Sequence, residues 1–268
     1  MPSTWMGVRT TWAARIDRAA LLAERNPWAK QVLDFYRRIL EFQKGIFETQ
    51  GNAHINSQVE FRDALDLGEA ERSVPGLLRL VQSHGPSKLA TQAARLQNGS
   101  VAELRGQLNQ FLADPEAPDD GGAFFARILL QPLAERLAQA SGPKSHAVTG
   151  NRCPYCRSAP QLAVIRPEGD GGKRFLLCSL CLSEWEFRRI LCPYCGDENH
   201  EKLPRYTAEG FPAVRVEACD TCKRYLKSVD LTVDGLAVPV VDEVATAQLD
   251  LWATEHDYTK IRLNLLGF

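Results

Sequence analysis

Cys153-Pro154-Tyr155-Cys156 is repeated 39 positions later as Cys192-Pro193-Tyr194-Cys195. Each copy is followed by a second C-x-x-C, Cys178/Cys181 after the first and Cys219/Cys222 after the second. These four pairs contain all eight cysteines of the 268-residue chain. The repeat is thus a C-x-x-C, a segment of roughly twenty residues and another C-x-x-C, the spacing of a four-cysteine metal ribbon. Two thiolates separated by two residues can point at a common ion from a tight knuckle whose backbone N–H groups also bond the sulfurs, and two knuckles complete a tetrahedron. The expectation is one metal ion on Cys153, Cys156, Cys178 and Cys181 and a second on Cys192, Cys195, Cys219 and Cys222. Crossed pairing of the first motif with the third is the alternative, which the tandem duplication disfavours. A four-sulfur tetrahedron accepts zinc or iron with similar geometry, so spacing leaves the ion open.

Between the knuckles, Leu162 to Ile165 with Lys173 to Leu177, and Lys202 to Tyr206 with Ala213 to Glu217, read as short hairpins, turning at Gly169 to Gly172 and at Glu209-Gly210. Units this small have little core of their own, so metal should contribute substantially to their folding. Disulfides and a thioredoxin-type redox pair are the rival readings. A chain with no secretory signal sits where thiols stay reduced, and four paired motifs in ribbon order do not resemble one C-x-x-C at a helix start. His200 follows Cys195 closely, but four thiolates already fill that site. His54, His84, His146 and His256 have no ligand-like spacing, and no catalytic triad, P-loop or dinucleotide motif appears.

With 44% hydrophobic and 24% charged residues the chain suits a globular protein with a core, and its net charge of −1 provides no global field toward nucleic acid, anionic lipid or acidic substrates. The N-terminus carries Arg9, Arg15 and Arg18 among Trp5, Val8 and Trp12 without a signal-type apolar run, and no stretch has the roughly 20 apolar residues of a membrane span. The expectation is a cytoplasmic protein with no membrane insertion.

The first half reads as helical. Trp28, Val32, Phe35, Ile39, Phe42 and Ile46 fall on one face, with Asn26 and Pro27 as N-cap and N1. Ser73 before Val74-Pro75 is expected to open a second helix, which Gly85-Pro86 stops. Ser100 and Glu103 form a capping box ahead of Leu104, Leu108 and Phe111. Another helix runs from Phe124 to Leu137 after the turn-rich Asp114 to Gly122. The polar, glycine-containing Ser141 to Gly150 marks a boundary. The expected units are an α-helical domain over 1–145, a first four-cysteine ribbon over 146–190 and a second over 191–268. The last unit is expected to end with a hairpin about Asp234-Gly235, a helix bearing Leu249, Leu251 and Trp252, and an apolar tail from Leu263 to Phe268.

Several residues flank the cysteines in a specific order: Glu184-Trp185 after Cys178-Ser-Leu-Cys181, Arg189 before Cys192-Pro-Tyr-Cys195-Gly196, Tyr206, then Glu217-Ala-Cys219-Asp-Thr-Cys222 and Tyr225-Leu-Lys227. This pattern resembles the formate dehydrogenase accessory protein FdhE family and covers nearly the whole second half. The resemblance implies an N-terminal α-helical bundle followed by two tandem rubredoxin-like, zinc-ribbon-like units, an α + small β fold. It also implies a cytosolic, non-enzymatic maturation factor that binds the catalytic subunit of a molybdenum- or tungsten-dependent formate dehydrogenase and carries two metal ions, rubredoxin-like iron with zinc as the alternative. One departure is Arg157, which stands where the second repeat has Gly196. Arg suits positive φ less well, so the first site is expected to be distinct or weaker. Trp185 reads as core packing, whereas Arg188, Arg189, Tyr225 and Lys227 read as a solvated face.

Two other classes compete. A zinc-ribbon nucleic-acid binder needs clustered positive charge, but residues 151–230 carry 13 Lys+Arg against 11 Asp+Glu. Two loaded sites would add about −2 each, so no nucleic-acid partner is expected. A rubredoxin-like electron carrier or redox sensor is compatible with iron. Metal-centred hydrolysis is not, because a closed four-thiolate site has no open position.

Overall fold

Apolar side chains spaced by three and four wind the first half into helices that bury apolar faces. The computed structural model describes residues 10–49, 60–114, 122–142 and 150–268, and within these the helices are α1 (Trp12–Arg25), α2 (Lys30–Thr49), α3 (Leu67–His84), α4 (Ser87–Gln97), α5 (Val101–Ala113) and α6 (Gly122–Ala140). Phe35, Ile39 and Ile46 are buried as their spacing requires. Pro27 opens a short 3-10 turn that leads into α2, while Asn26 turns backward, its Nδ2 donating to Leu22 O of α1. The Ser100–Glu103 capping box forms, and Gly85 ends α3. Trp5, Val8, Arg9, His54 and His146 lie outside the described residues, as do most of the two expected loops.

Several expectations are corrected. The helix expected to open at Ser73 begins at Leu67, because Asp66 caps it by accepting from Glu69 N–H, and Pro75 lies inside it on an exposed face. Helices α1 and α4 were not expected from the pattern. The buried face of α1 is Trp12, Arg15, Arg18, Ala19, Leu22 and Ala23, interrupted by two arginines, and α4 is an alanine-rich segment burying only Ala93.

In the second half the chain forms β1 (Pro160–Glu168), β2 (Gly171–Cys178), β3 (Glu184–Glu186), β4 (Arg205–Thr207), β5 (Val214–Cys219) and β6 (Arg224–Asp230). Helices α7 (Pro239–Ala245) and α8 (Ala247–Glu255) follow, with a short β7 (Thr259–Lys260). Both expected hairpins form, with Leu162 opposite Leu177 and Tyr206 opposite Val216. They merge into one sheet of order β3-β2-β1-β6-β5-β4, with β7 beside β6. The repeats therefore share a strand order and join head to tail through the parallel β1–β6 pair, Leu162 to Lys227 through Ile165 to Asp230.

No hairpin forms about Asp234-Gly235. Pro239 sits at the first turn of α7 and fixes its helical φ, and Asp242 accepts the Val238 N–H at 2.7 Å, so the apolar run Val240, Val241, Val244 is wound into a buried helix. Asp242 is held in turn by Arg18 of α1, which also bonds Asp234 at 2.7 Å, tying the helical half to the sheet. Buried side chains of α1, α2, α3, α6 and α7 share one core with β1, β2 and the first four cysteines, and a smaller core lies between β5, β6 and α8.

Helix α6 is buried on nearly every side from Phe124 to Ala138. Its buried polar residues, Arg127, Gln131 and Glu135, recur every fourth position and so form one stripe. Glu135 takes both guanidinium arms of Arg15 at 2.6 and 2.8 Å, and Gln131 accepts from Gln43. Burial of this stripe is offset by partners at every step.

Lys227, expected on a solvated face, is fully buried. It donates to Asp250 at 2.5 Å and to the Glu243 and Thr246 carbonyls, while Lys260 pairs with both carboxylates and bonds Phe268 O at 3.0 Å. Asn264 and Tyr225 complete the cluster through Glu243 and Asp250. Two cations face two anions, so the group is neutral and joins β6, α7, α8 and the tail. Lys227→Met should cost about 3–5 kcal/mol in urea unfolding, because it strands a buried carboxylate. Burial raises the Glu243 carboxyl, but Lys227 and Lys260 override it and hold it at about 2 against an ordinary 4.5. Its contribution is therefore fully present above about pH 4.5 and lost as pH falls toward 2. Urea midpoints followed through that window should fall in the parent protein and flatten in Glu243→Gln.

Candidate metal centres

Each C-x-x-C closes as a tight turn, the second and fourth between consecutive strands of the sheet. In the first knuckle the Cys153 N–H donates to Ser158 O at 2.9 Å and the Arg157 N–H to Cys153 O at 3.0 Å. The third repeats this with Cys192 to Asp197 O at 2.8 Å and Gly196 to Cys192 O at 3.0 Å. The residue after the second cysteine has positive φ in all four knuckles: Arg157 at 62°, Leu182 at 53°, Gly196 at 78° and Lys223 at 53°. The turn requires this conformation whatever the residue, so Arg157 does not set the first site apart. It adopts the geometry of Gly196 and bears the steric cost itself.

The knuckles bring the cysteines together sequentially. Sulfurs of Cys153, Cys156, Cys178 and Cys181 form one cluster and those of Cys192, Cys195, Cys219 and Cys222 the other, each with all Sγ atoms within 4.8 Å. In the first, Cys153–Cys181 is 3.4 Å, Cys156–Cys178 3.3 Å and Cys156–Cys181 3.6 Å. In the second, Cys192–Cys222 is 3.8 Å and Cys195–Cys219 3.7 Å. A metal–sulfur bond of about 2.3 Å puts the sulfurs of a tetrahedron about 3.8 Å apart, so both clusters could hold an ion, the first after slight expansion. Leu180 N–H and Tyr194 N–H each approach the sulfur of the preceding cysteine, at 3.4 Å.

Electrostatics favour a cation at both positions. Hydrogen bonds from Cys153, Cys178 and Cys181 draw the Cys156 thiol well below its usual range, whereas burial pushes Cys178 and Cys181 well above theirs. Burial likewise raises Cys192 to about 11. Four thiolates this close repel one another, and a divalent ion is what would allow all four to lose their protons.

The two clusters differ in setting. All four cysteines of the first are buried in the core shared with the helices. The carbonyl of Ser179, inside its second knuckle, accepts from Arg127 at 3.3 Å and from Gln131 at 3.2 Å, both on α6. Arg127 also bonds Gln161 and the tail carbonyls of Leu263 and Asn264. In the second cluster Cys195 is exposed and Cys222 half-buried. Trp185 packs in the core as expected, its Nε1–H donating to Gly150 O at 2.9 Å. His200 is exposed and belongs to neither cluster. The α6 clamp was not read from the sequence, although polar residues at every fourth position of an apolar helix are a visible signal.

The comparisons agree with this architecture. Residues 152–189 match the family model for the FdhE central domain and residues 190–266 the one for the FdhE C-terminal domain. A protein of Aquifex aeolicus named FdhE homolog is 30% identical over 267 residues, covering 94% of each chain. The chain belongs to the FdhE family. An FdhE homolog of Haemophilus ducreyi is 27% identical, over 98% of this chain and 91% of that one. The crystal structure of the FdhE protein from Pseudomonas aeruginosa superposes with a TM-score of 0.72 at 23% identity, over 97% of both chains, and so shares the fold. The fold shared with that structure thus runs through nearly the whole chain.

Metal should leave the two sites in a fixed order. A chelator titrated against the loaded protein should empty the exposed second cluster first, with Cys195 the first thiol to react with an alkylating reagent, as peptide mapping would show. Arg157→Gly relieves a left-handed arginine on an exposed turn, and its effect on thermal unfolding should lie between neutral and about 1 kcal/mol stabilising.

Proposed function

We propose that this FdhE-family chain is a metal-carrying accessory protein that binds an immature formate dehydrogenase catalytic subunit in the cytoplasm and acts without turnover. The observation that carries the reading is the pair of closed four-sulfur clusters held within an FdhE fold. In this reading Cys153, Cys156, Cys178 and Cys181 hold one ion and Cys192, Cys195, Cys219 and Cys222 the other, iron in both. Four sulfurs around an ion leave no coordination position for a substrate, which suits binding better than metal-centred catalysis. The first ion would close a ribbon onto the helices, so its loading would be coupled to the stability of the whole surface offered to a partner. Among the described residues no helix is long and apolar enough to cross a membrane.

Exposure of Cys195 favours one second reading, that iron at the second site exchanges electrons with the partner or reports on its redox state.

Deleting the gene should leave formate dehydrogenase polypeptide present and formate oxidation strongly reduced. The parent gene should restore activity, and a Cys178→Ser/Cys181→Ser version should not. Normal formate oxidation in the deletion strain would contradict the maturation role.

A further inference from the structure

Neither metal cluster accounts for a group of arginines beside the second one. Arg174, Arg189, Arg205 and Arg224 line a small pocket in which Glu217 is the single acidic residue, and Cys192 and Cys219 form part of its wall. Arg174, on β2, is 2% exposed. It bonds Glu217 at 2.7 Å and Arg188 O at 2.9 Å, yet its Nε–H is buried with no acceptor. Among the described residues no carboxylate lies within 4.0 Å of the guanidinium of Arg189, Arg205 or Arg224. Arg205 donates to Arg189 O at 3.1 Å, which sets these two exposed residues side by side. Arg224 lies over the ring of Tyr194, 4.9 Å from its centroid, and Tyr194 is 47% exposed.

Four guanidinium groups face one carboxylate, and that surplus exceeds the roughly −2 that a loaded four-thiolate site would add. Guanidinium forks match carboxylates two bonds at a time, and an exposed aromatic stacked on arginine is the usual anchor at a protein interface. We propose that this pocket docks an acidic segment of a protein partner, with Arg189 and Arg205 gripping a carboxylate side chain and Tyr194 packing beside it. Nucleic acid fits less well. The positive charge is confined to one pocket, which a single carboxylate side chain can enter, whereas a phosphate backbone carries charge at every nucleotide and would run onto the exposed Glu198 and Glu201 of the adjoining segment. The inference rests on the chain being a partner-binding factor and adds the surface and its chemistry.

The test uses the metal-loaded full chain and fluorescence anisotropy with three labelled probes: a peptide of alternating Glu and Ala, the same peptide with Gln for Glu, and an oligothymidylate of equal length. The Glu peptide should bind about tenfold or more tightly than the other two. Arg189→Glu/Arg205→Glu should abolish that preference without changing metal content or the circular dichroism spectrum. Arg188→Glu should preserve it, since Arg188 is spent on a bidentate pair with Glu198 at 2.7 Å outside the pocket. Equal binding of the Glu and Gln peptides would overturn the proposal, as would tighter binding of the oligonucleotide or an equal loss in Arg188→Glu. Because the probes contain no dehydrogenase, failure here leaves the maturation reading standing, and failure of the deletion experiment leaves the pocket standing.

Discussion

The contact between the second knuckle of the first cluster and helix α6 is the constraint on which the rest of the structure turns. A four-cysteine ribbon is too small to bury a core of its own, and a helical bundle has no intrinsic reason to hold one. Here the Ser179 carbonyl, between two sulfurs, is the acceptor for Arg127 and Gln131, and the surrounding core is continuous from α2 to β1. Four sulfurs thus occupy a position where another fold would place aliphatic side chains. Any change in their charge or occupancy is applied directly to the helices.

The second repeat copies the local geometry without the setting. Its knuckles have the same turn conformation and nearly the same bonds, and its strands follow the same order. Its sheet packs on α8, however, and while Cys192 and Cys219 are buried, Cys195 is exposed and Cys222 half-buried. The repeat thus gives one cluster wholly within the core and one that is partly open to solvent. The parallel β1–β6 pair makes the two halves of the sheet one body, and the neutral Lys227–Lys260–Glu243–Asp250 cluster fastens the tail and α7 beneath it.

What the sequence revealed follows from where the physics is local. Knuckle spacing, the hairpins between knuckles, the capping box at Ser100 and the apolar stripe of α2 are set by residues within a few positions of one another. The resemblance carried by Glu184-Trp185 and by Tyr225-Leu-Lys227 pointed to the family that full-length similarity then showed. The misses involve partners far along the chain. Helix α1 was hidden because Arg15 and Arg18 on its buried face are matched by carboxylates far along the chain, Glu135 for the first and Asp234 and Asp242 for the second. Lys227 read as solvated because its counterions lie on α7 and α8. Asp234-Gly235 carries a hairpin signal that Pro239 and the Asp242 cap outweigh.

The most direct measurement is metal content combined with X-ray absorption at the metal edge, on full-length protein purified rapidly without oxygen. Two ions per chain, each with four sulfur neighbours at about 2.3 Å, is the result expected of two closed thiolate sites. Fewer than two ions per chain in freshly isolated protein, or nitrogen or oxygen among the ligands, would contradict the assignment of all eight cysteines to metal.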